Sequence, residues 1–190
     1  EQEMKIMNKI KLLLTMLIIC TSLWASIDVI ISTIDNSYDN TSILGNWEKH
    51  NKYTLQVRLY NNSSSAQQFN RIEANCDFDA EKLELLSKTD NISGWSATNF
   101  FIAENGHVQY QRASNTGETA ITIPGGSYYT VYELTVRVKE EAALGSSIAA
   151  LDQNFTHVLN NTSDLTNDLE NLNITIIDDI TAPTTRILPN

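Results

Sequence analysis

Residues 71–78 read Arg71-Ile72-Glu73-Ala74-Asn75-Cys76-Asp77-Phe78. Every second side chain is apolar and those between are polar or charged, which is the signature of a β-strand with one face buried and the other in water. The same alternation recurs on both sides of it. Tyr53-Leu55-Val57-Leu59 interleave with Thr54-Gln56-Arg58, and Tyr132-Leu134-Val136-Val138 with Glu133-Thr135-Arg137. Shorter or less regular strand patterns run from Ile27 to Ile34, Leu83 to Leu86, Ala97 to Ala103, His107 to Arg112, Ser147 to Leu151 and Leu172 to Ile177. The expected total is about nine.

Turn-forming residues separate these runs: Asn61-Asn62-Ser63-Ser64-Ser65, Asp90 to Gly94, Asn115-Thr116-Gly117, Pro124-Gly125-Gly126 and Gly145-Ser146. Asn105-Gly106, between Phe101-Ile102 and Val108-Tyr110, predicts a two-residue type I′ hairpin, because both central residues of that turn need positive φ. Helical character is expected only as short turns, at Asp79 to Lys82 and Asp164 to Glu170. Short strands, frequent turns and no sustained helical period predict an all-β protein: an antiparallel β-sandwich of about nine strands with jelly-roll topology.

The two ends differ from this middle. Lys9 and Lys11 after Met7, the apolar run Leu12 to Cys20, and Thr21-Ser22-Leu23-Trp24-Ala25 have the three parts of a secretory signal, with cleavage expected after Ala25. The run is shorter than the roughly 20 residues a membrane span needs. Ile19 is too bulky for Cys20 to be a lipidated residue. Met7 is read as the start, with Glu1 to Ile6 upstream of it. Residues 1–25 are therefore the expected signal segment and 26–178 the folded domain. Residues 179–190 read as a linker into a further module, since Pro183 and Pro189 interrupt ladder pairing. The expected location is extracellular or at the cell surface, with no membrane insertion after cleavage.

Removing the signal leaves Cys76 alone, so stability must come from burial rather than a disulfide. The net charge of −10, with lysines and arginines scattered singly, argues against a nucleic-acid partner. His50, His107 and His157 lack zinc-ligand spacing, and neither a nucleophile elbow nor a phosphate-binding glycine loop is present. Asp77 and Asp79 could share a strand face as a carboxylate pair, and Asp35 and Asp39 an oxygen-rich loop. Both read more simply as a strand end and a turn, so no catalytic group, metal or other cofactor is expected; a structural calcium is left open as an alternative that the sequence does not indicate. The sequons at Asn40, Asn62, Asn91, Asn154, Asn161 and Asn173 carry no weight in a sequence this rich in Asn, Ser and Thr. Trp47, Trp95, Tyr128 and Tyr129 fall at strand edges or loops, where aromatic rings could stack on sugars. Their competing role is core packing.

Two segments carry a family resemblance. Phe78-Asp79-Ala80-Glu81-Lys82-Leu83-Glu84-Leu85-Leu86-Ser87 resembles the cohesin pattern in which a strand ends in aromatic-Asp, turns, and resumes as Leu-Glu-aliphatic-aliphatic-Ser. Tyr132 to Ser147, with Lys139, Ala142 and Gly145, is similar to the cohesin strand that runs into Lys-x-x-Ala-x-x-Gly. The resemblance spans roughly Ile27 to Asp178, and fits poorly at Ser87 to Ser96 and Asn160 to Asn171. It implies a monomeric, non-catalytic module that holds a dockerin on another extracellular protein, often in a polysaccharide-degrading assembly. It also implies an outward sheet of the third, fifth, sixth and eighth strands. Arg71, Glu73, Asn75 and Asp77, with Gln109 and Gln111, would present that face. The alternatives are a carbohydrate-binding module of the same fold, for which Ile123-Pro124-Gly125-Gly126-Ser127 resembles a loop of cellulose-binding modules, and a spacer or adhesin domain.

Overall fold

The computed structural model describes residues 26–35 and 45–179. Nine strands of six residues or more carry the architecture: β1 (Ile27–Asp35), β3 (Lys52–Asn61), β5 (Arg71–Phe78), β6 (Leu83–Asp90), β7 (Ala97–Ile102), β8 (His107–Ala113), β10 (Tyr128–Val138), β11 (Gly145–Asn160) and β14 (Leu172–Ile177). Each corresponds to a strand expected from the alternation. Five short ones complete the set: β2 (Asn46–Glu48), β4 (Gln67–Phe69), β9 (Ile121–Ile123), β12 (Ser163–Asp164) and β13 (Thr166–Glu170).

They form two packed sheets, one in the order β13-β1-β3-β10-β6 and the other β2-β14-β11-β5-β8-β7, with β12 attached to β11 and a separate β4–β9 ribbon. The inward residues of both sheets make one core, in which Tyr110, Tyr132 and Phe100 pack ring to ring. A tyrosine can be buried there only if its hydroxyl is satisfied. Tyr132 donates to the Ala74 carbonyl at 2.9 Å and lies 3.2 Å from Cys76 Sγ, while Tyr110 donates to Asp90 at 2.9 Å. Burial pushes the Cys76 thiol up to about 12, so it stays a neutral apolar group.

Several expectations are corrected. The sandwich is not wholly antiparallel, because β13 runs parallel to β1 and β2 parallel to β14 at two sheet edges. The helical turn expected at Asp164 to Glu170 is extended chain. Its Leu165 carbonyl accepts from the amides of Ser26 and Ile27, both at 2.9 Å, so the unpaired edge of β1 outweighs the helical spacing of Leu165 and Leu169. The hairpin at Asn105-Gly106 is a three-residue loop rather than type I′. Gly106 alone has positive φ, at 86°, its amide donates to Ala103, and the Ala103 amide reaches His107. A Cβ on Gly106 would stand 2.1 Å from the Phe78 carbonyl, so the close approach of β5 also demands glycine. The signal segment, the loop around Asp39 and nearly all of the linker lie outside the described residues.

Candidate docking face

Counted among the nine long strands, β5, β7, β8 and β11 are the third, fifth, sixth and eighth, and they lie side by side in the order β11-β5-β8-β7. Alternation turns Ile72, Ala74, Cys76 and Phe78 of β5 into the core and Arg71, Glu73, Asn75 and Asp77 outward. Register then brings the neighbours into rows. Gln111 stands opposite Glu73, with Asn99 of β7 beyond it and His157 of β11 on the other side. Asp77 faces His107 and Ala150. Gln109 and Phe101 pair across β8 and β7. The six residues named from the sequence therefore share one surface.

Much of this surface is cross-linked in place. Glu73 accepts from Gln111 at 2.7 Å and from Arg71 at 2.5 Å, so a carboxylate at its centre is held by partners on two strands. Asp77 is 2.7 Å from His107 Nδ1, and His157 Nδ1 is 2.8 Å from Asp164. Asn75 turns its carboxamide oxygen onto the Tyr110 amide at 2.9 Å, which ties β5 to β8. Burial pushes the Asp164 carboxyl up, but hydrogen bonds from Thr166 and His157 outweigh it and hold the group below its ordinary range. Fixed side chains lose little freedom when a partner binds, which is what a docking surface needs.

The sequence reading missed the apolar part of the face. Phe101 is 56% exposed, Ile148 46% and Phe155 54%, and all three belong to these four strands. Phe101 and Ile148 point outward by register with Gln109 and Asn173. Phe155 arises differently: Asp152, Gln153, Asn154 and Phe155 of β11 stand opposite the single residue Asn75, a bulge that lifts them out of the sheet. Phe100-Phe101 was the available signal, since adjacent residues of a strand face opposite ways and one of two phenylalanines must leave the core.

The stacking residues are corrected. Trp47 is 1% exposed, stacked on Tyr53 at 4.3 Å, and Trp95 is buried edge-on to Phe69 with its indole N–H on the Thr119 carbonyl. Tyr129 is half-buried against Phe69 and donates to the Asn91 carbonyl. Tyr128 is exposed, but its ring already packs on Tyr60 at 4.6 Å and carries the Arg58 guanidinium at 4.0 Å. They offer no shared platform for a sugar. Asp77 and Asp79 also diverge, Asp77 to His107 and Asp79 to the Glu81 amide and Lys82. Among the described residues no group of three or more His, Cys, Asp or Glu converges as a metal site, and no helix is long and apolar enough to cross a membrane.

A two-sheet all-β sandwich with one sheet face open, polar at its centre and dotted with exposed apolar side chains, is the class of protein defined here. More particularly, the fold is that of cohesin domains. The seventh type I cohesin of ScaB from Pseudobacteroides cellulosolvens superposes with a TM-score of 0.58 at 16% identity, over 87% of this chain and 99% of that one. The cohesin of the Coh-OlpA–Doc918 type I cohesin–dockerin complex from Clostridium thermocellum gives 0.59 at 12% identity, over 80% and 99%. A non-cellulosomal cohesin from the archaeon Archaeoglobus fulgidus gives 0.55 at 10% identity, over 80% and 92%. No protein-family model and no curated protein sequence matches the chain.

Proposed function

We propose that the chain is a non-catalytic, cohesin-type binding module that docks a dockerin-like protein on the outer face of β11, β5, β8 and β7. One observation carries the reading: three separate stretches of the sequence, β5, the β7–β8 hairpin and β11, are brought together as neighbours, and their outward side chains form a cross-linked polar centre with exposed Phe101, Ile148 and Phe155 around it. Apolar anchors beside fixed polar groups are the composition of a protein interface. Solved structures of the same fold include cohesins held in complexes with dockerins. Arg71, Glu73, Asn75, Asp77, Gln109 and Gln111 set register and orientation in this reading, and the three apolar side chains supply most of the affinity.

The reading extends to the ends of the chain. Residues 1–25 direct export and are removed after Ala25, residues 26–178 form the exported monomeric module, and residues 179–190 lead into a further module of an extracellular or surface protein. The test is a binding panel of dockerin modules from the source organism against the purified domain, with insoluble polysaccharides as a parallel arm. Saturable binding of at least one dockerin supports the proposal. Retention on polysaccharide alone, or on neither, contradicts it.

A further inference from the structure

The bulge of β11 that carries Phe155 is clamped through one histidine. Asp152 to Phe155 leave the sheet, and pairing resumes at Thr156, which is buried with its hydroxyl 3.4 Å from the Asn75 carbonyl. Within the bulge the Asn154 amide donates to the Asp152 carboxylate at 2.9 Å, and the Asn154 carbonyl lies 3.3 Å from His157 Nε2. That carbonyl belongs to the planar peptide group leading into Phe155, so fixing it fixes the direction in which Phe155 leaves the sheet. The other ring nitrogen of His157, Nδ1, is 2.8 Å from Asp164 of β12. Both partners of the ring are acceptors. A carbonyl has no proton to give, and the Asp164 carboxyl, which lies below its ordinary range and accepts from the Thr166 amide at 2.9 Å, is ionised.

A neutral imidazole has one N–H and one lone pair, so it satisfies one of these acceptors and turns a lone pair on the other, whereas the imidazolium donates to both. The charged groups around it are Glu73 of β5, opposite His157 in register, with Arg71 bound to Glu73, and Asp152 in the bulge itself. Asp168 of β13 turns back onto the Leu169 amide. His107, by contrast, meets Asp77 through Nδ1, a contact that a neutral ring satisfies equally well. We propose that protonated His157 is a positioning residue of the docking face: it holds the bulge so that Phe155 is presented to the partner, and its deprotonation as pH rises releases the bulge and weakens docking. This rests on the docking role of the β11-β5-β8-β7 face. Histidine changes charge between pH 5 and 8, so the partner is held more tightly at the acid end of that range. The His157 side chain is 38% exposed, and water replaces part of the lost hydrogen bond, which limits the effect to about fivefold in Kd.

The test has one arm without a partner and one with it. In the free full chain, the NMR order parameters of the Gln153, Asn154 and Phe155 amides, which a change of charge alone does not move, should fall between pH 5.5 and pH 8 and stay level over that range in His157→Gln. For a dockerin that binds the natural chain, Kd should rise about fivefold over the same range. The rise should vanish in His157→Gln and in Phe155→Ala, and persist in His107→Gln. Order parameters that stay constant in the natural chain overturn the proposal, as does a pH dependence that survives in His157→Gln or in Phe155→Ala. A bulge that loosens with pH as described while no dockerin binds at either pH upholds the positioning by His157 and contradicts the docking role instead.

Discussion

Replacing Arg112 by methionine tests how the edge of the docking sheet is held in position. The guanidinium is largely buried and meets Asp90 at 2.7 Å, donates to the Ile92 carbonyl at 2.7 Å, and also donates to the Trp95 carbonyl. It therefore pins the loop from Asn91 to Ser96, which leads directly into β7, onto β8. Removing one member of a buried pair costs about 3–5 kcal/mol, because the other charge is left without a partner. Rehydration of the two loop carbonyls limits their added cost to about 1 kcal/mol. A loss of about 4 kcal/mol, near 12 °C in Tm, is expected for Arg112→Met in urea unfolding followed by tryptophan fluorescence. Asp90→Asn should cost less, since the Tyr110 hydroxyl and the Ile92 amide keep an acceptor. The double variant should be at least about 2 kcal/mol more stable than the sum of the single losses implies. A loss under about 1 kcal/mol for Arg112→Met, or simple additivity, would refute the account.

Cys76 should resist thiol reagents at pH 8 in the folded protein and react at once in denaturant, because burial and an elevated pKa of about 12 suppress the thiolate. Labelling of the native protein on the time scale of a free thiol would contradict this. Gly106→Ala should cost about 2 kcal/mol or more, from a left-handed φ and a clash with the Phe78 carbonyl, read from chemical denaturation. Because the folded Asp164 carboxyl sits below its ordinary value of 3.8, its stabilising contribution is complete above that pH and is lost as pH falls through the folded value. Unfolding curves from pH 5 to 2.5 should therefore fall less steeply for Asp164→Asn than for the natural chain.

The long strands were legible because one buried face imposes alternation, as in β5 and β10 over most of their length, and because in β3 the second buried row, Thr54 and Gln56, is still polar. The short strands were not. β13 is extended because β1 offers it an edge, a tertiary fact that local spacing in Asp164 to Glu170 cannot reveal. β11 was expected to stop at Leu151, since the bulge at Asp152 to Phe155 breaks the period before pairing resumes at Thr156. The polar half of the docking face followed from the parity of β5 and β8. Phe101 and Ile148 obey the same parity, whereas the exposure of Phe155 depends on that bulge and no local pattern shows it. Trp47 and Trp95 show the converse: flanking turn residues suggested exposure, while the core had room for both rings.

The central claim is that one face of this sandwich docks a protein partner. Amide hydrogen exchange of the domain, free and saturated with a dockerin that binds it, maps that face directly. The account predicts new protection confined to β5, β7, β8 and β11, and loss of the complex with unchanged Tm in a Glu73→Arg, Phe101→Asp variant. Protection appearing instead on β1, β3 and β10, or full binding by that variant, would contradict it.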